Sequence, residues 1–146
     1  MKKKSRKILL IILIIFLCLI IPGFYNGMRV AEYNLKSDKL NEQVRIALVT
    51  DLHSCSYGEG QHTLLDAIDE QKPDLVLLGG DLFDQNLPDD NTVNFLRGVS
   101  EKYPCYFVTG NHEYLKGKAT LTDRMNLLEE CGITRLSGEM TTVEIK

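Results

Sequence analysis

The chain opens on seven mostly basic positions, passes through an uncharged stretch, and then settles into short apolar runs that alternate with amphipathic ones. VRIALVT (44–50), DLVLLGG (74–80) and CYFVTG (105–110) are nearly continuous apolar runs of strand length. Between the first two, GQHTLLDAIDEQ (60–71) sets Leu64, Leu65 and Ile68 on one helical face and is stopped by Lys72 and Pro73. DDNTVNFLRGVS (89–100) begins with Asp and Asn suited to capping and repeats Val93, Leu96 and Val99 at helical spacing. TLTDRMNLLEEC (120–131) is a further helix, ended by Gly132, and ITRL and TTVEIK read as short strands after it. Strand and helix alternate throughout. That order predicts an α/β domain whose parallel sheet is covered on both faces and connected by right-handed crossovers.

Residues 8–25, ILLIILIIFLCLIIPGFY, carry no charge and have about the length that crosses a hydrocarbon core as a helix. A cleaved signal peptide is the competing reading, but IIPGFYNGMRV has no small-x-small cleavage pattern and no lipoprotein-type box surrounds Cys18. The expected organisation is therefore a basic cytoplasmic segment (1–7), a transmembrane anchor (8–25), a polar linker (26–42) and a domain from residue 43 to 146. Lys2, Lys3, Lys4, Arg6 and Lys7 would stay in the cytoplasm, placing everything after Tyr25 across the membrane.

Charge changes the picture of partners. Five of the seventeen Lys and Arg fall in the first seven positions, leaving twelve against twenty acidic residues in the rest. An acidic body argues against nucleic-acid binding, which rests on neutralising phosphates. Any phosphate it handles would need metal charge. Four cysteines (18, 55, 105, 131) show no CxxC spacing, which argues against a zinc-thiolate site, and Cys105 and Cys131 read as small buried hydrophobes.

Three strand ends carry polar clusters: TDLH, GGDLFD and TGNHE. In parallel α/β sheets, ligand sites lie beyond the carboxyl ends of the strands. Asp51 to Asp81 and Asp81 to Asn111 are each thirty residues, about one βαβ unit, so the clusters should meet in space. Asp51, His53, Asp81 and Asn111 are oxygen and nitrogen donors suited to divalent manganese, iron or zinc. In an extended stretch, residues i and i+2 point the same way, so Asp51 and His53 would grip one ion while Leu52 turns inward. Asp81 would bridge to a second ion, Asn111 would offer that ion a neutral oxygen, and His112 would hold a phosphate oxygen or protonate a leaving alkoxide. Asp84 is the carboxylate expected to orient a histidine. Gly79 and Gly80 would let the backbone come close. His62, in GQHTLL, reads as a solvent-exposed helix start. Asp89 and Asp90 read as a turn and cap.

These three motifs, in this order and spacing, resemble those of the calcineurin-like metallophosphoesterases, and most closely a membrane-associated bacterial branch. The resemblance covers roughly residues 44–146. It implies a four-layered α/β/β/α fold, a centre of two divalent metal ions and hydrolysis of a phosphomonoester or phosphodiester. Carried across by position, it implies Asp51 and His53 at the first metal, Asp81 bridging, Asn111 at the second, and His112 acting on the substrate. The family draws further metal-binding histidines from a second half, in a GH pair and a GHxH motif, whereas no histidine follows His112 here. The expectation is accordingly an amino-terminal part of a metallophosphoesterase sandwich preceded by one transmembrane helix. The alternative is an inactive fragment that retains the anchor and part of the α/β layer with weak metal binding. A nucleotide-binding module is disfavoured, because carboxylates occupy the end of the first strand where a glycine-rich loop belongs.

Overall fold

The computed structural model describes residues 2–20 and 28–145, and the chain divides into two compact units after Tyr33. Among its described residues the first unit contains one helix, α1 (Lys2–Ile20). Its polar start, KKKSRK, leaves Ile8 to Ile20 as the apolar part, roughly 20 Å of helix at 1.5 Å per residue against a hydrocarbon core of about 30 Å. Among the described residues no helix is long and apolar enough to cross a membrane. The spanning helix expected over 8–25 is therefore not found, and residues 21–25 of that segment lie outside the described residues.

The second unit follows the alternation read from the sequence: β1 (Ile46–Val49), α2 (His62–Gln71), β2 (Leu75–Leu78), α3 (Asp90–Ser100), β3 (Cys105–Phe107), α4 (Lys118–Glu130) and β4 (Thr134–Arg135). The strands are parallel in the order β1-β2-β3-β4. Every crossover thus steps the same way, and right-handed connections of that kind place successive helices on one face of the sheet. The core bears this out. Val76, Leu78, Cys105 and Phe107 lie in one buried cluster with Ile68 of α2, Phe95, Leu96 and Val99 of α3, and Leu128 of α4. Gly98 lets α2 and α3 close up, since a Cβ there would press on Leu65.

The sheet expected to be covered on both faces is covered by helices on one face among the described residues. The alternate strand positions point away from the core, and Leu48 remains 66% exposed, with Ile46 and Val108 also exposed. TTVEIK is a second correction: residues 141–145 form no strand, and Lys146 lies outside the described residues. A strand requires a ladder partner, and the sheet as described ends at the two-residue β4. Cys105 is buried as expected. Burial, with Cys131 nearby, pushes its thiol up to about 12.

Candidate metal centre

β1 and β2 end at Val49 and Leu78, yet the segments beyond them stay joined. Gly79 N–H donates to Val49 O (2.8 Å), Asp51 N–H to Gly80 O (3.1 Å), His53 N–H to Asp81 O (3.0 Å) and Ser54 N–H to Leu82 O (2.9 Å). Within this continuation Asp51, His53, Ser54 and Asp81 all hold left-handed backbone, at φ 56°, 47°, 53° and 52°. The i, i+2 alternation of an extended strand is therefore not what orients Asp51 and His53. A tight turn does so, and its strained residues are held by hydrogen bonds to the facing loop. The approach of the β2 and β3 loops requires glycine at two places. Gly80 has φ 87°, and a Cβ on it would overlap the Gly110 backbone; a Cβ on Gly110 would overlap the Asp81 carboxylate.

These loops bring His53, Asp81 and His112 together, with one donor atom of each within 4.8 Å of the others. The imidazoles of His53 and His112 meet edge to face, with centroids 4.4 Å apart and planes at 73°. Asp81 Oδ1 accepts the backbone N–H of His112 at 2.8 Å. Asp51 borders the group, with Oδ1 3.7 Å from His53 Nε2 and Oδ2 accepting the Thr50 hydroxyl at 2.7 Å. Its side chain is 61% exposed. Asp84 Oδ2 lies 3.8 Å from His112 Nδ1, while its Oδ1 accepts the N–H groups of Asn86 (2.6 Å) and Leu87 (3.0 Å). Those backbone donors, with a smaller contribution from His112, hold the Asp84 carboxyl below its usual range. Asn111 is exposed, stands immediately before the 3-10 turn His112–Tyr114, and makes no capping bond with its side chain. His62 lies apart from the cluster and is exposed, its Nδ1 3.0 Å from Glu59 O.

The donor set can be tested against a cation. Nδ1 of His53 and Nδ1 of His112 are buried without a hydrogen-bond partner, a costly condition for a polar atom. Two imidazoles and a carboxylate converging in that state suit a divalent ion of intermediate hardness. A cavity of about 410 Å³ opens beyond the ends of β3 and β4, but neither His53, Asp81 nor His112 lines it. The cluster sits instead on an open rim, with side chains of His53 and His112 31% and 24% exposed.

Several supporting residues were not identified from the sequence. Ser54, next to His53, takes the N–H of Asp84 (3.2 Å) and bonds Thr92 (3.1 Å), whose hydroxyl donates to Leu82 O (2.9 Å). Arg124 of α4 is buried against Phe83, its guanidinium 4.5 Å from the ring centroid. It donates to both carboxylate oxygens of Asp89 (2.9 and 2.8 Å), to Asp84 O (2.9 Å) and to His112 O (3.4 Å). Asp89 does stand at the N-cap of α3, but its side chain makes no cap bond. Its carboxylate is committed to Arg124 instead. Glu113 is completely buried among backbone N–H groups; it follows His112 directly in GNHE, and that acidic fourth position was its only signal.

A sequence model of calcineurin-like phosphoesterases matches residues 44–140. The chain belongs to the calcineurin-like phosphoesterase family. Members are metal-dependent phosphoester hydrolases with a dinuclear divalent-metal centre, and the His/Asp cluster of this domain is a possible metal site of that kind. An uncharacterized metallophosphoesterase of Helicobacter pylori strain J99 is 30% identical over 115 residues, covering 73% of this chain and 30% of that protein. The Campylobacter jejuni metallophosphoesterase Cj0846 is 30% identical over 117 residues, or 74% of this chain and 30% of the relative. Phosphodiesterase YaeI of Escherichia coli is 34% identical over 108 residues, or 68% and 38%. The calcineurin-like phosphoesterase chain described here thus spans about a third of the length of the curated relatives it matches.

Proposed function

We propose that the protein hydrolyses a phosphomonoester or phosphodiester at a two-metal centre built on the rim of the sheet. The observation that carries this reading is the convergence of His53, Asp81 and His112 with two buried imidazole nitrogens left unpartnered. Asp51 and His53 would hold one divalent ion, Asp81 would lie between two, and Asn111 would serve the second. Bound there, the ions would polarise phosphoryl oxygens and lower the pKa of an attacking water. His112 is then the group that meets the substrate oxygen. Its Nδ1 faces Asp84 at 3.8 Å, an arrangement that sets the ring for donating a proton to the leaving group. Arg124, through its bonds to the carbonyls of Asp84 and His112, keeps the two segments in register. The naming of one relative as a phosphodiesterase weighs towards a diester.

The test is hydrolysis of bis(p-nitrophenyl) phosphate and p-nitrophenyl phosphate with manganese supplied. Turnover that a chelator removes, and that His112→Gln lowers by roughly 100-fold or more through loss of acid catalysis, is the expected result. Metal-independent turnover, or an unaffected His112→Gln, would remove the basis of the reading.

We propose further that residues 8–25 anchor the protein in the cell membrane, with residues 1–7 cytoplasmic and the domain outside. Support comes from the basic start of α1 and from the exposed apolar side chains of Leu10 to Leu17, a pattern that suits lipid better than water. The protein should remain with membranes after an alkaline carbonate wash, and protease added to intact cells should reach the domain. Full protection in unbroken cells would reverse the topology.

A further inference from the structure

We propose that Glu113 is the positioning residue of this centre, a buried carboxylate that fixes Asp81 and His112 relative to one another before any metal arrives. The proposal rests on the metal-site reading above. Oε2 of Glu113 accepts the N–H groups of Asp81 (3.0 Å) and Gly110 (2.7 Å), and Oε1 accepts those of Leu82 (2.8 Å) and Phe83 (3.4 Å). One side chain thereby ties the loop after β2 to the loop after β3. The residue is fully buried, and none of the salt bridges among the described residues includes it.

The Glu113 carboxylate does more than fill space. Burying a carboxylate without a basic partner is costly unless hydrogen bonds satisfy it, so its retention at this place points to the four donors it serves. Among the described residues those four N–H groups have no other acceptor, Asp81 turning left-handed at φ 52° beyond the end of β2. The bonds are also reciprocal. The N–H of Asp81 goes to the Glu113 carboxylate, while the N–H of His112, one residue earlier, goes to the Asp81 carboxylate at 2.8 Å. The clasp sets the direction of the Asp81 carboxylate and the place of the His112 ring together. With both oxygens occupied by backbone donors, Glu113 is itself not a metal ligand; it acts through Asp81 and His112.

The test uses the full chain, manganese(II) alone as probe, and calorimetry at a temperature where every variant is folded by circular dichroism. Glu113→Gln keeps the volume and one acceptor but turns an NH₂ towards backbone N–H groups. It should weaken manganese binding about 10- to 100-fold, as loss of groups that orient ligands does, and speed amide exchange at Asp81, Leu82 and Gly110. Glu113→Asp, one methylene shorter with its charge kept, should fall between, and it carries the test should Glu113→Gln not fold. Phe95→Leu, in the core on α3, is the control for stability alone and should bind manganese as wild type does. Variants of Glu113 that melt earlier yet bind manganese with unchanged affinity would reduce the residue to a structural role and overturn the proposal. A wild-type chain that takes up no manganese would overturn the metal-site reading and, with it, this role.

Discussion

Asp81→Asn is expected to leave the fold intact and to remove manganese uptake, with a loss larger than the 10- to 100-fold typical of groups that merely orient ligands. The substitution separates charge from shape. Asparagine can still accept the His112 N–H through Oδ1, as Asp81 does at 2.8 Å, so the clasp between the loops survives. The negative charge and the second ligating oxygen do not. In the proposed arrangement Asp81 would serve both ions, so both sites should weaken together, and hydrolysis of an aryl phosphate diester should fall to background. Calorimetry with manganese reports the first and a colorimetric assay the second. Unchanged turnover of Asp81→Asn with excess manganese would refute the bridging role.

Asp89→Asn should destabilise the domain markedly. Arg124 is 2% exposed and Asp89 28%, so removing the carboxylate leaves a buried guanidinium without its counter-charge. Breaking a fully buried pair costs about 3–5 kcal/mol; with Asp89 partly open to water the expected loss is about 2 kcal/mol, or roughly 8 °C in Tm for a domain of this size. Arg124→Met should cost less, because it takes the buried charge away rather than stranding it. Acid should expose the same pair. Burial raises the Asp89 carboxyl, but the hydrogen bonds and charge of Arg124, followed by Lys116, outweigh it and hold the group below its usual value. A carboxylate depressed in the folded state adds stability that is complete above the unfolded value near pH 4, and that is lost as pH falls through the lower folded one. The gap between wild type and Asp89→Asn should therefore close below about pH 4. Chemical denaturation at pH 7 and pH 3 measures it, and a gap that widens in acid would contradict the assignment.

What could be read from the sequence follows from what is local. The apolar runs at 44–50, 74–80 and 105–110 contain β1, β2 and β3, because a short apolar run bounded by turn residues is a local signal of a strand. Helix faces were equally plain: Ile68, Leu96 and Val99 are buried where their spacing placed them. The thirty-residue intervals brought TDLH, GGDLFD and GNHE to one rim because each spans one crossover. Features that depend on pairing between distant segments were not legible. The left-handed turn through Asp51, His53 and Ser54 is stabilised by residues 80–82, and nothing between 50 and 54 announces it. The partner of Asp89 lies thirty-five residues away on α4. Helices on one face only follow from strand order, which a one-dimensional pattern of apolar residues does not contain. Glu113 was hidden for the same reason, since four backbone donors from two loops are what make an acidic residue at home in the interior.

The most direct test of convergence at the rim is anomalous diffraction at the manganese edge from crystals of the chain grown with manganese(II). The expected result is a peak in contact with both His53 and Asp81, with the His112 ring beside it. Density only at surface carboxylates elsewhere, with His53 and Asp81 turned apart, would contradict the metal centre and the hydrolytic function proposed on it.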